Sequence, residues 1–396
     1  MKKKVLLVTG LVTAIIGTLA GCGTSSSSST SSGTSSTSEA ASKSLAENEV
    51  TENGSSGSSE SSVVGKKIGF INAGPDDYYA AYGDALVAMA KQYGMDVTEV
   101  NSNYSSETEL SNCQDLISSG VDAIACITAG AAGSAKTIKT AQDAGVPIFF
   151  CVGQPETEEG YSYTGWVSDN YAILAYNIGK YVTKNYSESS GKIALIPGVL
   201  GQNTAEAEIV GFNMALEENG FEDAYVTASG NWAAADAIPV VEDLVSSGKD
   251  IDVIFACNEE MARGTIQVLE EKKLSEQIAV VSINAKDEGL QWVSEGKVSA
   301  TISDCPNRDA DLCVQQMVAY FTGQDYEKSL NIANDVVITK DSIDQAMPWD
   351  LDKYEQARKD GTIQYELSYY EEQAEKNADL FTAFDENTRK YIDEHN

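Results

Sequence analysis

From Lys66 onward, short apolar runs alternate with stretches whose apolar positions recur at helical spacing. The runs "KIGFIN", "DVTEVN", "VDAIACIT", "VPIFFCVG", "YSYTGWV", "KIALIPG", "DAYVTAS", "DVIFACN", "IAVVSIN" and "KVSATISD" predict ten strands. Several are continuously apolar, as parallel strands covered on both faces are. Helices are predicted between them over 80–93, 106–119, 133–144, 170–185, 204–219, 234–247, 259–273, 286–295 and 307–322. In the first, Ala81, Ala85, Leu86, Met89 and Tyr93 share one face. Gly follows the helix ends in "YGMD", "SGVD", "AGVP", "NGFED" and "SGKD", where a left-handed residue is wanted. A strand–helix unit repeating in this way defines an α/β fold of doubly wound parallel sheets. Ten strands are many for one open sheet, so two lobes are expected, with ligands held outside the C-terminal strand ends.

The chain termini read differently. Lys2, Lys3 and Lys4 precede an apolar stretch, the pattern of an export signal over 1–21. It ends in "LAGC", Leu19 to Cys22, which resembles the lipobox of bacterial lipoproteins and implies a lipid on Cys22. Residues 22–62 are mostly Ser, Thr, Gly and Glu, with too little apolar surface to order themselves. They are expected to form a disordered tether spanning on the order of 35 Å. At the other end, 345–396 is rich in Tyr and Glu and reads as two helices, expected to pack on their own lobe.

Charge narrows the partners. The chain carries −33, and −36 once residues 1–21 and their three Lys are removed. Such an excess repels nucleic acid and anionic lipid surfaces. The single His is His395 near the end of the chain, so neither a His-based metal site nor a Ser–His or Cys–His catalytic pair is expected. No P-loop is present, and no cofactor, metal or enzymatic activity is expected. After Cys22, six Cys remain without a CxxC pair, and Cys126, Cys151 and Cys257 lie in apolar runs, which favours buried thiols.

The strand ends carry the candidate chemistry: "NAGPDDYY", "CVGQPE" with Gln154, "PGVLGQNTAEAE", "SGNW", "CNEE", "INAKDE" and "SDCPN". Aromatic faces can stack on a sugar ring, while carboxylates and amides hold hydroxyls or amines. The motifs "SDN" (168–170) and "CNEEMARG" (257–264), with "AGVPIFF", "GKIALIPG" and "GKVSATISD", resemble the type I periplasmic sugar-binding proteins, in particular the ribose-type branch, over about 66–340. That resemblance implies two doubly wound parallel-sheet lobes joined by a three-crossover hinge. It places the N-terminal lobe at 63–169 plus 305–331, the C-terminal lobe at 170–304 plus 332–344, and a helical extension at 345–396.

The resemblance also implies site positions. Its paired aromatics fall on Tyr78 and Tyr79, with Asp76 and Asp77 before them. Its later positions fall on Trp232, Asn258, Asn284 and Asp304. The ribose-type Asp-Arg pair is replaced by Val152 and Gly153, and the arginine of the helix after the sixth strand by a neighbourhood containing Glu206 and Glu208. A site stripped of its cations argues against an anionic ligand and favours a polyol or an amine-bearing solute or nucleoside. Plainer roles stand beside these: one of Asp76 and Asp77 capping a helix, the tyrosines and Trp232 as packing, Glu206 and Glu208 as a solvated first turn, and Glu259 and Glu260 as exposed helix-start acids. The implied function is a monomeric, lipid-anchored solute-binding protein outside the cytoplasmic membrane. It would capture a small carbohydrate-like ligand by hinge closure and pass it to an ABC permease, or present it to a membrane receptor.

Overall fold

In the computed structural model the described residues are 63–395. The export signal (1–21), the Cys22 lipid site and the tether (22–62) lie outside them. The chain first lays down β1 (Lys67–Asn72), α1 (Asp77–Gln92), β2 (Asp96–Asn101), α2 (Ser106–Ser119), β3 (Ala123–Ile127), α3 (Ala131–Asp143), β4 (Ile148–Cys151) and β5 (Gly165–Asp169). It then crosses to a second sheet through α4 (Tyr171–Asn185), β6 (Ile193–Ile196), α5 (Asn203–Glu218), β7 (Tyr225–Val226), α6 (Ala234–Ser246), β8 (Val253–Ala256), α7 (Glu259–Lys272), β9 (Ala279–Ser282), α8 (Asp287–Glu295) and β10 (Thr301–Ile302). α9 (Pro306–Thr322) returns it to the first sheet as β11 (Ser329–Ile332), and β12 (Val337–Ile338) crosses back to pair with β10.

Both sheets are parallel. The first runs β2-β1-β3-β4-β5-β11, the second β7-β6-β8-β9. The chain therefore passes between lobes three times, after β5, before α9 and after β11. The strands β3, β4, β6 and β8 are buried along their whole length, which is why they read as unbroken apolar runs. All six Cys of the described residues are buried and free.

The differences from the sequence reading have local causes. β7 and β10 keep only two residues each, because their partners pair with them over that length alone. β11 and β12 carry no long apolar run and were not anticipated. α1 starts at Asp77 instead of residue 80, because Asp76 caps it. The extension forms three helices, α10 (Leu351–Asp360), α11 (Leu367–Lys376) and α12 (Ala378–His395), and it contacts both lobes. Tyr354 is fully buried, and its O–H donates to Asp311 of α9 at 3.2 Å. Phe384 of α12 meets Tyr176 of α4 edge-on at 5.2 Å.

α4 and α5 pack unusually closely. A Cβ added at Gly211 would lie 1.8 Å from the Ala172 carbonyl oxygen, a backbone atom that cannot swing aside. Gly211→Ala should therefore lower stability by about 1–3 kcal/mol or more, the usual cost of overpacking. Urea unfolding checks this, and an unchanged midpoint would contradict the packing.

Candidate functional site

The first lobe's contribution begins with a cap. Asp76 accepts from the Tyr79 N–H at 3.0 Å and from the Tyr104 O–H at 2.6 Å, so the capping role belongs to Asp76. This starts α1 with Tyr78 and Tyr79 turned toward the second lobe. Their rings meet edge-on at 6.0 Å, and Tyr78 donates its O–H to Asp309 at 3.1 Å.

The second lobe answers with Trp232, in the loop between β7 and α6. Its Nε1–H donates to Gln202 Oε1 at 2.6 Å. Its ring lies against Gly198 at the tip of β6, where a Cβ would come within 2.0 Å of it, so this wall requires glycine beneath it. Asn258 caps α7 by accepting from the Met261 N–H at 2.8 Å, and its Nδ2 holds the Trp232 carbonyl at 3.2 Å. Asn284 accepts from the Glu259 N–H at 3.2 Å and donates to Asp304 at 3.3 Å.

These groups enclose one small cavity between the lobes. Asp76, Tyr78, Tyr79 and Val152 line it from the first lobe. Tyr171, Thr204, Glu208, Trp232, Cys257, Asn258, Asn284 and Asp304 close it from the second lobe and the crossover. Its volume of about 40 Å³ is far below an ordinary ligand pocket, so the lobes stand closed and a solute enters only as they part. Three of its linings hold left-handed backbone: Val152 (φ 57°), Trp232 (φ 61°) and Asn284 (φ 125°). Such strain in a β-branched or bulky residue is rare and clusters at functional sites.

The cavity is acidic and incompletely bonded. Glu208 Oε2, Thr204 Oγ1 and Asp304 Oδ1 are buried without a hydrogen-bond partner. Burial drives the Glu208 carboxyl well above the usual carboxylate range. Burial does the same for Asp304, helped by Asp169, which it meets at the hinge. Beneath them Arg308 pairs with Asp169 and, at 2.7 Å, with Asp309. Burial pushes Asp309 up to about 7, with Arg308 opposing.

Seven of the ten sequence-chosen ligand positions thus come together: Asp76, Tyr78, Tyr79, Trp232, Asn258, Asn284 and Asp304. Three lie elsewhere. Asp77 is exposed and bound at 2.8 Å by Lys286 of the opposite lobe, which also holds Glu260; its cation is a protein side chain. Gln154 lines the adjoining groove, its N–H directed at Asn203 Oδ1 at 3.4 Å. Glu206 folds back to accept from the Gly201 N–H at 2.6 Å.

The solvated-turn reading of α5 is corrected as well. Glu206 is 7% and Glu208 1% exposed, because α4 and α12 cover α5 and Glu208 turns into the cavity. Nor does Glu259 face solvent: it is 1% exposed and accepts from the N–H groups of Ala285 and Lys286 at 2.9 and 3.0 Å. Tyr171 and Thr204 were missed as site residues, and of the two acids at the start of α5 Glu206 was chosen where Glu208 lines the cavity. Tyr171 directly follows "SDN", and Thr204 and Glu208 stand one helical turn apart on one face, which was the available signal.

Two parallel-sheet lobes closing on a cavity at their strand tips define a binding protein of the hinged, two-lobed class. Residues 68–325 match the family model of the periplasmic binding protein domain, and the chain belongs to that family. Among relatives, the ribose import binding protein of Bacillus subtilis is 22% identical over 295 residues, 73% of this chain and 91% of that protein. The fructose import binding protein of Bifidobacterium longum is 22% identical over 302 residues, covering 74% and 91%. The fold is shared with the periplasmic binding protein of the arabinose ABC transporter from Shewanella sp. ANA-3, bound to L-arabinofuranose (TM-score 0.66, 21% identity, 76% of this chain and 99% of that one). It is shared too with a solute-binding protein from Bacillus halodurans bound to myo-inositol (TM-score 0.66, 22% identity, 72% and 97%).

The buried acids set a pH dependence. Burial raises Asp76, Glu109, Glu208 and Asp304, and takes Glu259 to about 8, Asp309 to about 7 and Asp311 to about 6. A carboxyl raised on folding keeps its proton in the folded state over a window where the unfolded chain has lost it. Stability then falls as pH rises from the ordinary carboxyl range, about 4, through these values. The melting temperature should be higher at pH 5.5 than at pH 8, and the reverse order in a thermal scan would contradict it.

Proposed function

We propose that this protein is the solute-binding component of an importer: it captures a small polyhydroxylated, carbohydrate-like solute in the interlobe cavity by hinge closure and delivers it to an ABC permease. It acts outside the cytoplasmic membrane as a monomer, held there by a lipid on Cys22 and the tether that follows. It is a binding protein and not an enzyme, with no cofactor or metal. The observation that carries this reading is the cavity itself: stacking rings from both lobes, with Asn258, Asn284 and Asp304 between them. Apolar walls with a few fixed polar groups are the usual make-up of a solute site, and parting and closing two lobes is a known way to load one. The names of the relatives, import binding proteins for ribose and fructose, support the same reading.

A panel of monosaccharides and cyclitols tests it by thermal shift, because a ligand bound only by the folded state raises the melting temperature. At least one member should raise it. Trp232→Ala should then weaken binding by about 10-fold or more, since a buried stacking aromatic contributes more than 1.4 kcal/mol. Full affinity after Trp232→Ala combined with Asn258→Ala would sink the site assignment.

A further inference from the structure

The cavity is built for more than hydroxyl groups. Among the described residues that line it are three carboxyl side chains, Asp76, Glu208 and Asp304, and no Lys or Arg. The cations nearby are spent: Lys286 on Asp77 and Glu260, and Arg308 on Asp169 and Asp309. Asp76 is satisfied by the N–H of Tyr79 and the O–H of Tyr104. Glu208 is satisfied only in part: it meets the Cys257 thiol, but it is 1% exposed and its Oε2 has no partner. Thr204 Oγ1, one turn earlier on the same face of α5, is likewise buried and unpartnered.

A buried carboxyl whose one aid is a weak thiol donor is costly when ionised, and its open oxygen is retained at a loss unless something binds it. Glu208 shares the cavity with the rings of Tyr79, Tyr171 and Trp232. Ring faces attract cations, most strongly when water is excluded. A carboxylate, a hydroxyl acceptor and aromatic faces together make a receptor for an ammonium group, which offers three donors and a positive charge.

We propose that the solute is an amine-bearing polyol, an amino sugar or aminocyclitol, whose ammonium is held by Glu208 and Thr204 against the Trp232 and Tyr171 rings. This rests on the solute-receptor reading above and names its ligand class. On closure the ammonium meets the Glu208 carboxylate, so any proton on that carboxyl leaves to solvent and a neutralised pair is buried in place of an isolated acid. The net charge of −33 draws cationic solutes toward the cleft.

Matched pairs test it by isothermal titration at pH 7: D-glucosamine against D-glucose, and an inosamine against myo-inositol, with wild type, Glu208→Gln and Thr204→Val, each checked for native secondary structure by circular dichroism. The amine should bind about tenfold or more tightly than its neutral partner, and Glu208→Gln should reduce that preference to within about twofold. Thr204→Val should weaken the amine by more than it weakens the neutral partner. Neutral partners that bind as well as the amines, or a preference that survives Glu208→Gln, would overturn the amine assignment and leave the sugar-receptor reading standing. No binding by any member of either class would overturn both.

Discussion

Arg308 is a guanidinium buried to 2% exposure at the point where the chain crosses between lobes. Its partners are Asp169, at the end of β5, and Asp309, beside it on α9. The ring of Tyr370 from α11 lies over it at 5.6 Å. Removing one partner of such a set would leave uncompensated charge in the interior, which costs several kcal/mol. The pair therefore fixes where two of the crossovers meet. Asp309 also receives the Tyr78 O–H, so the charge that secures the hinge also sets the first aromatic wall of the cavity.

The rest of the site follows from that fixed point. Strand tips of both lobes converge on the hinge, and the backbone there takes left-handed values at Val152, Trp232 and Asn284. Strain of this kind persists only where surrounding structure over-determines it. The closed arrangement is held from outside by Lys286, which reaches across to Asp77, and from behind by Asp385 of α12, which accepts from Asn170 at 3.1 Å and Asn331 at 3.5 Å, at two of the crossovers. Trp349, just before α10, donates to the Asn284 carbonyl at 3.1 Å and meets Tyr78 edge-on. The C-terminal segment thus touches both the hinge and a cavity wall, and opening must rearrange it.

Alternation of apolar runs with helical spacing was enough to give the two-lobed α/β fold, because fully buried parallel strands leave an unambiguous apolar signature. Short edge strands such as β11 and β12 leave none. Helix-capping chemistry was legible in part: one of Asp76 and Asp77 was expected to cap α1 and Asp76 does, whereas the cap at Asn258 was not read. What sequence could not supply was direction. Asp76 and Asp77 are neighbours, yet one faces the cavity and the other a lysine 209 positions away. Glu206 and Glu208 both sit in the first turns of α5, yet only Glu208 reaches the cavity. The extension hid its reach for the same reason: its polar, Tyr-rich helices bury single faces, and nothing in their spacing says which lobe each face meets.

The most direct test is a crystal structure of the protein with its solute bound. Ligand donors should lie about 3 Å from Glu208 Oε2 and Thr204 Oγ1, with the Trp232 ring against the ligand and the Arg308 cluster unchanged. A solute bound elsewhere, with Glu208 Oε2 still without a partner, would contradict the central claim that this buried acid is kept for the ligand.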